Sequence, residues 1–571
     1  MSDVLAQAIA AHKHSKTTEA EQGYQTWLKQ HPHDGSTWHL LGILYGQLES
    51  YEAAISAFEK ALPHHAEPAL IHQAMSQAYL HLGQTQPALS HIQSALRLKP
   101  NQATFMNQHG NIYLRLGHHA IALNHYHQAH TCDPTYLEAK INIGMTQLKL
   151  KQVEAAQKTF QAIIEQDPKH PIAQQQLGQI HHQAHAFDQA LLHYKAALDS
   201  SPRNALLHHQ IACIYCQKED PTQAIESFKT ALKYDPHHFE SHHNLGALYT
   251  QIHQPADALP HWLKALRSPE DTEGLYNIGT TYLALNRTEE AKAYLLDALQ
   301  HGATDASLHI ALGAVYLKTD EPQQALIHYQ TALKEDPSRE DIRYVLDAIQ
   351  NQPTRYSRSP ATYVKNLFDQ YAERFDQHLT QTLNYKTPEI LAAQLIDLTP
   401  KHGFNIALDL GCGTGLAAQA CHHLTQRLIG VDLSEGMLKK ADQTGLYEAL
   451  HCQDIIDYLS KTIDFKPDLI LAADVLPYFG ELIPLMQAIV QNMSHQGVFA
   501  FTYEHLENTS SETLNPSFKL QTCARYAHDC QYIQQCLNAV GLMCHDTQSV
   551  TLREQHQVAV QGHYVIAVKP K

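Results

Sequence analysis

The run Asp409-Leu410-Gly411-Cys412-Gly413-Thr414-Gly415 sets three glycines at alternate positions behind an acid. Glycines in this pattern let the backbone turn sharply and leave room for a ligand to touch the main chain. The run ends an apolar stretch, Phe404 to Leu410, that reads as a buried strand. It precedes Leu416 to Ala420, which reads as the start of a helix. A glycine-rich turn from strand to helix suits a nucleotide-like ligand at the carboxyl edge of a parallel sheet. Asp409, Gly411, Cys412, Gly413 and Gly415 are therefore the first candidate cofactor residues.

Further segments of the same kind follow. Asp432, with Leu433 after it, closes the apolar run Leu428 to Val431 and lies 23 residues beyond Asp409. An acid at that distance, on the tip of the next strand, can hold ribose hydroxyls. Asp454 follows a third candidate strand, Tyr447 to Cys452, where its carboxylate can accept from an adenine amino group. Ile455 and Met437 can sandwich the ring. A fourth strand, Asp468 to Ala473, delivers Asp474-Val475-Leu476-Pro477-Tyr478 to the same edge, with Ala473 at its end.

These signals, in this order, resemble the class I S-adenosylmethionine-dependent methyltransferases over residues 360 to 571. "LDLGCGTG" matches the family's first motif and "GVDLSEGML" its second-strand motif. The resemblance implies an α/β Rossmann-like sheet of seven strands, the last antiparallel, and S-adenosylmethionine as cofactor. Runs at Val498 to Tyr503, Gly541 to Leu552 and His563 to Lys569 supply the later strands, with a helix over Gln531 to Val540. A nicotinamide-binding domain would want G-x-G-x-x-G; the spacing here is G-x-G-x-G.

In that family an aromatic-rich helix ahead of the first strand covers the cofactor. "LFDQYAERFDQHL" followed by "LNYKTP" is similar to a bacterial subgroup in which tetratricopeptide repeats are fused to a methyltransferase. Tyr371 and Tyr385 are the lid candidates, against the simpler reading that they pack a leading helix onto the sheet. The fourth-strand tip lacks the Asn/Asp-Pro-Pro-aromatic pattern of amide and base-nitrogen methyltransferases, so it fits a small-molecule acceptor better. Beyond the fifth strand, His505 and His528 are candidate bases, and Arg525, with Arg553, can grip an acidic acceptor. Arg525 and His528 can equally cap a helix or pair with nearby acids.

The elements ahead of this domain repeat. The small residue of Gly42-x-x-Tyr45 recurs at Ser76, Gly110, Gly144, Gly178, Ala212, Gly246, Gly279 and Gly313, in steps of 34 residues with one of 33. Alanine follows twelve residues later each time, and most copies carry a bulky residue four beyond that, from Phe58 to Tyr329. Prolines at Pro100, Pro134, Pro168, Pro202 and Pro236 mark the joints. This period and these anchors resemble the tetratricopeptide repeat, with a degenerate opening copy around Ala20, Tyr24 and Pro32. Such arrays bind partners. Two positions before each anchor stand Gln108, Asn142, Gln176, Gln210, Asn244 and Asn277. An amide carries both donor and acceptor, so a ladder of them suits the backbone of an extended protein segment. Solvated side chains are the alternative.

The expected organisation is an all-α tetratricopeptide superhelix over 1–350 with a capping helix at its end, a polar linker over 351–360, and the methyltransferase domain over 361–571. The 571 residues are too many for one core. A net charge of −16 argues against nucleic acid, and no apolar window is long enough to span a membrane. Ten scattered cysteines and an N-terminus without signal-peptide character suit the cytoplasm. Cys213-Ile214-Tyr215-Cys216 sits within a predicted helix with no second pair nearby, and reads as packing rather than a metal site. The 43 histidines read as a compositional habit of solvent-facing helix positions, with zinc binding the other reading. Two other functions stay open: a scaffold or adaptor whose cofactor domain is catalytically silent, and a glycosyltransferase, which would need two such lobes.

Overall fold

The computed structural model describes residues 3–571, apart from 352–354, 373–374, 378, 380–382, 384, 462–463, 507–516 and 556–557. The chain forms two compact units, Met1–Ser241 and His242–Lys571.

The first unit consists of paired helices, from Asp3–Lys13 and Thr17–Gln30 to Ala205–Gln217 and Pro221–Tyr234. Their close pairing follows from the small anchors. A Cβ on Gly110 would stand 2.6 Å from the Tyr126 ring, and one on Gly178 would stand 2.5 Å from that of Tyr194. The aromatic side chain thus rests directly on the facing backbone. The alanines Ala54, Ala88, Ala122, Ala156, Ala190 and Ala224 are fully buried where the helices cross. Each helix pair turns through one residue in the left-handed region: Ser15, Glu49, Gly83, Gly117, Lys151, His185 and Glu219. Ser15 keeps the 34-residue phase, which places the degenerate opening copy in the array.

The second unit carries the last repeats and a sheet. His253, Asn286 and Asp320 continue the left-handed turns, and Gly313 packs under Tyr329 as Gly110 does under Tyr126. The sheet strands are β1 (Phe404–Leu410), β2 (Thr425–Asp432), β3 (Ala449–Cys452), β4 (Leu469–Ala472), β5 (Val498–His505), β6 (Phe518–Leu520), β7 (Tyr526–His528), β8 (Met543–Gln555) and β9 (Val558–Val568). Strands β3-β2-β1-β4-β5 are parallel, β9 lies antiparallel on β5, and β8 on β9. Those seven form the expected sheet. The short β6 and β7 are additional: β7 pairs with the end of β5 at Glu504↔Ala527 and His505↔His528. The sequence around Arg525 was expected only to lead into a helix; instead Tyr526–His528 is a buried strand.

Helices cover both faces of the parallel strands, so the strands read as continuous apolar runs. One cluster holds Leu408, Leu410, Ile470, Phe499 and Phe501; the other holds Leu391, Leu428, Leu471 and Ile566.

The junction differs from a free linker. Ser359 N–H donates to Tyr478 O (2.8 Å), and the N–H groups of Gly480 and Glu481 both donate to Ser357 O (2.8 Å each). Helix Glu340–Ile349, expected only to close the repeats, also sends Tyr344 and Ala348 into a cluster with Leu520, Ala524 and Tyr526.

Candidate active site

A cavity of about 880 Å³ opens at the carboxyl edge of the sheet. Its floor is the loop after β1. Gly411 and Gly413 have φ of +66° and +54°, a region that disfavours any residue with a Cβ. At Gly411 a Cβ would also meet Val475 Cγ2 at 2.7 Å, whereas at Gly413 the nearest atom is Phe375 Cε1 at 3.8 Å. Glycine at 413 therefore keeps the floor clear.

Asp432 ends β2 beside this loop. Gly413 N–H donates to its Oδ2 and Ser434 N–H to its Oδ1, each at 2.9 Å. Burial pushes its carboxyl above the usual range. Ser434 caps helix Glu435–Gln443 through Met437 N–H (3.1 Å) and donates its own hydroxyl to Asp369 Oδ1 at 2.5 Å. Thr414 donates to Asp376. The helix Ala361–Tyr371 and the turn at Phe375–Gln377 are thereby pinned to both loops.

Asp454 caps helix Ile455–Ser460, its Oδ1 accepting from Ile456 and Asp457 N–H. Arg358 Nη1 donates to both carboxylate oxygens, at 2.9 and 3.0 Å. The acid expected to read an adenine amino group is thus paired with a guanidinium from the segment read as a linker.

The opposite end of the cavity is an ion-pair network. Arg525 donates to Glu504 Oε1 (2.6 Å), Asp474 Oδ1 (2.7 Å) and Tyr478 Oη (3.0 Å). Arg553 Nη2 donates to Glu504 Oε1 at 2.7 Å. Burial alone would raise the Glu504 pKa, but the two guanidiniums hold it below the usual carboxylate range. Asp474 sits at φ +60°, costly for a residue with a Cβ and the sort of strain found at functional sites. Tyr385 is buried on the same wall, and burial raises its phenol pKa well above its ordinary value.

Gly411, Cys412, Gly413, Asp432, Leu433, Asp454, Ile455, Ala473, Tyr385 and Arg525 line the cavity together. Other candidates stand elsewhere. Asp409 is buried behind the loop, where Tyr447 Oη donates to its Oδ2 at 2.7 Å; burial pushes its carboxyl up to about 7. Gly415, at φ +93°, opens the next helix, and Met437 is fully buried. His528 is buried, and its Nε2 donates to Phe479 O (2.8 Å) and Gly480 O (3.2 Å); burial lowers its pKa to about 4. His505 stacks edge-on against His563. Neither histidine is on the cavity wall. Tyr371 belongs to the leading helix, but its side chain lies outside the described residues. Wall residues that sequence reasoning missed are Arg358, Lys318 and Asn286. Nothing in the local pattern marks Arg358, and the last two sit on repeats whose period describes only their packing.

Of the amides, Gln108 and Asn142 are tied to the preceding repeat. Gln73 Nε2 donates to Gln108 Oε1 at 2.7 Å, and Asn142 Nδ2 to Asn107 Oδ1 at 2.9 Å. Gln210 Oε1 is buried without a hydrogen-bond partner among the described residues.

Comparison with known proteins agrees with this architecture. The family described as "Methyltransferase domain" matches residues 408–499. Tetratricopeptide families match 35–62, 113–180, 212–252 and 276–340. A curated relative, the human "Methyltransferase-like protein 27", is 37% identical over 87 residues, 15% of this chain and 35% of that protein. The chain therefore spans about a third of that relative's length. Among solved structures, YrrB, titled "a TPR protein with an unusual peptide-binding site", is 23% identical over 33% of this chain and 98% of its own, with a TM-score of 0.29. PilF of Pseudomonas aeruginosa is 18% identical over 36% and 92%, with a TM-score of 0.33. With tetratricopeptide families matched at intervals between residues 35 and 340 and the methyltransferase family matched over 408–499, the chain is a fusion of tetratricopeptide repeats to a methyltransferase domain.

Proposed function

We propose that the chain is an S-adenosylmethionine-dependent methyltransferase whose repeats hold a protein segment. The methyl acceptor is then a small molecule or a group on that bound protein. The observation that carries the cofactor assignment is Asp432. Its half-buried carboxylate stands beside an open glycine floor and accepts from the N–H groups of Gly413, Ser434 and Leu433. A carboxylate has about four lone-pair sites, so capacity remains for a ribose hydroxyl. Gly411 and Gly413 would meet the remainder of the cofactor through the backbone, and Ile455 one face of its ring.

When bound, the cofactor supplies an activated methyl group on a sulfonium. The protein's share is alignment and exclusion of water. Phe368, Phe375 and Leu379 give the cavity an apolar wall, while Arg525 and Asp474 fix a polar one. A purified protein that binds S-adenosylhomocysteine by calorimetry supports the reading. Asp432→Ala should weaken that binding by about 1.5–3 kcal/mol, the scale of hydrogen bonds to a charged group. Tight NADH binding in its place would refute it.

One observation favours the second reading, an adaptor with a silent domain: the Arg358–Asp454 pair engages the acid assigned to the adenine end. S-adenosylhomocysteine binding without methyl transfer to any co-purifying molecule would favour that reading. For the repeats, Gln176, Gln210 and Asn277 are the amides best suited to a partner's backbone, since among the described residues their side chains make no recorded hydrogen bond.

A further inference from the structure

The cavity wall has two nitrogen donors that its own acids leave unmet. Arg553 is 5% exposed, yet its Nη1 has no hydrogen-bond partner among the described residues. Asp474 Oδ1 stands 3.5 Å from it, an ion-pair contact without a hydrogen bond. The side chain reaches the cavity through a register shift in the β8–β9 ladder: Thr551 pairs with Gln561 but Arg553 with Val560, so Leu552 is the extra residue. As a result Leu552 and Arg553, neighbours that would otherwise face opposite sides, are both buried. Bulges re-aim side chains in this way.

The second donor is Lys318, the last residue of helix Ala306–Lys318 in the final repeats. It lines the same cavity on its exposed side. Its ammonium donates to Asn286 Oδ1 at 2.9 Å, and no carboxylate lies within ion-pair distance among the described residues. Partial desolvation lowers its pKa, with no acid offsetting it. Of the other charges at the wall, Arg358 pairs with Asp454, Arg525 with Asp474 and Arg553 Nη2 with Glu504, while Asp432 is held by backbone N–H groups. Among the described residues no histidine lines the cavity, and its acids are held by backbone N–H groups or guanidiniums. A wall of this kind suits an acceptor that arrives already ionised and needs no base.

We propose that the methyl acceptor carries an anionic group, a carboxylate or a phosphate, which takes the Arg553 guanidinium and the Lys318 ammonium as its counter-ions. The inference rests on the methyltransferase reading and gives its acceptor a chemical class. It also makes the last repeats part of the acceptor site. Arg553 supplies the N–H groups of Nη1 and Lys318 a point charge, both of which proteins use to hold such anions.

The test uses full-length protein saturated with S-adenosylhomocysteine, titrated by calorimetry at constant ionic strength with succinate, inorganic phosphate and neutral succinamide. Saturable binding of at least one of the two anions is expected, and none of succinamide. Lys318→Gln, a change at an exposed position, should weaken the bound anion by about tenfold or more, as loss of a paired charge does. Arg553→Lys, which keeps the charge beside Glu504, should weaken it too. Equal binding by wild type and both variants, equal binding of succinamide, or no anion binding to the saturated protein would overturn the proposal. Anion binding that disappears once S-adenosylhomocysteine is present would assign these cations to the cofactor's own carboxylate, and would also overturn it. Failure of S-adenosylhomocysteine itself to bind is a separate result, and refutes the methyltransferase reading.

Discussion

The Tyr344 hydroxyl donates to the carbonyl of Ala524 at 3.1 Å, across 180 positions of sequence, and shares a second bond with Ser359 Oγ at 2.8 Å. Tyr344 is fully buried, on a helix that the repeat period assigns to the array. A fragment of residues 355–571 would lose this side chain from its core. We expect residues 242–571 to fold cooperatively, and the shorter fragment to be markedly less stable or insoluble. Tyr344→Ala in the full chain should cost about 3–5 kcal/mol, as for other large aromatic deletions. Chemical denaturation followed by near-ultraviolet circular dichroism measures both.

Asp409 gives the β1 turn a pH signature. Its folded pKa, about 7, lies above the ordinary value of a carboxyl. A raised acid leaves stability unaffected where both states are protonated. It withdraws stability as pH rises, because the unfolded chain ionises first, and the loss levels off above the folded pKa. Asp409→Asn keeps an acceptor for Tyr447 but cannot ionise. The variant's melting temperature should therefore gain on wild type between pH 4 and 7 and hold that gain above it, worth on the order of a few kcal/mol. A constant difference from pH 4 to pH 8 would show that folding leaves the Asp409 pKa unshifted.

The histidines of the repeats predict the opposite slope. His109 is buried, neither ring nitrogen has a hydrogen-bond partner among the described residues, and burial, with His125 beside it, lowers its pKa to about 4. Stability is intact above the unfolded value and is lost as pH falls towards the folded one, since the unfolded chain takes up the proton first. His109→Leu should be more stable than wild type at pH 5 and lose most of that advantage at pH 7.5, in urea titrations at the two pH values.

The amides divide by role. Gln108 and Asn142 bond to neighbouring repeats, so Gln108→Leu should lower stability by about 1–3 kcal/mol by stranding the Gln73 amide. Gln176→Ala with Gln210→Ala should leave the melting temperature nearly unchanged. It should weaken capture of an immobilised extended peptide from any confirmed partner by about tenfold, at about 0.5–1.5 kcal/mol for each lost hydrogen bond. A double variant that loses stability as Gln108→Leu does would mean these amides also serve packing.

Much of this architecture is legible in the sequence because it is periodic or continuous. The 34-residue spacing of Gly110, Gly144 and Gly178 reflects a ring packed on each glycine. The runs ending at Asp409, Asp432 and Ala472 are apolar because helices bury both faces of the parallel strands. Strands β6 and β7, three residues each, are too short to carry a period. Arg553 breaks the alternation of its strand through the bulge, and Arg358, Asn286 and Lys318 reach the cavity from segments whose local pattern says helix end, turn or linker. Long-range placement of single polar side chains leaves no trace in spacing. Leading-segment acids such as Asp369 and Asp376, which brace the loops after β1 and β2, are hidden for the same reason.

Under the proposed function, the placement of Asn286 and Lys318 separates two tasks. The glycine floor is built from loops of the sheet, whereas these two residues sit at the ends of helices in stacked repeats. On that proposal, exchanging one repeat's terminal residues would retarget the acceptor while the methyl-donor cradle stays untouched, much as a tool keeps its handle when the bit is changed.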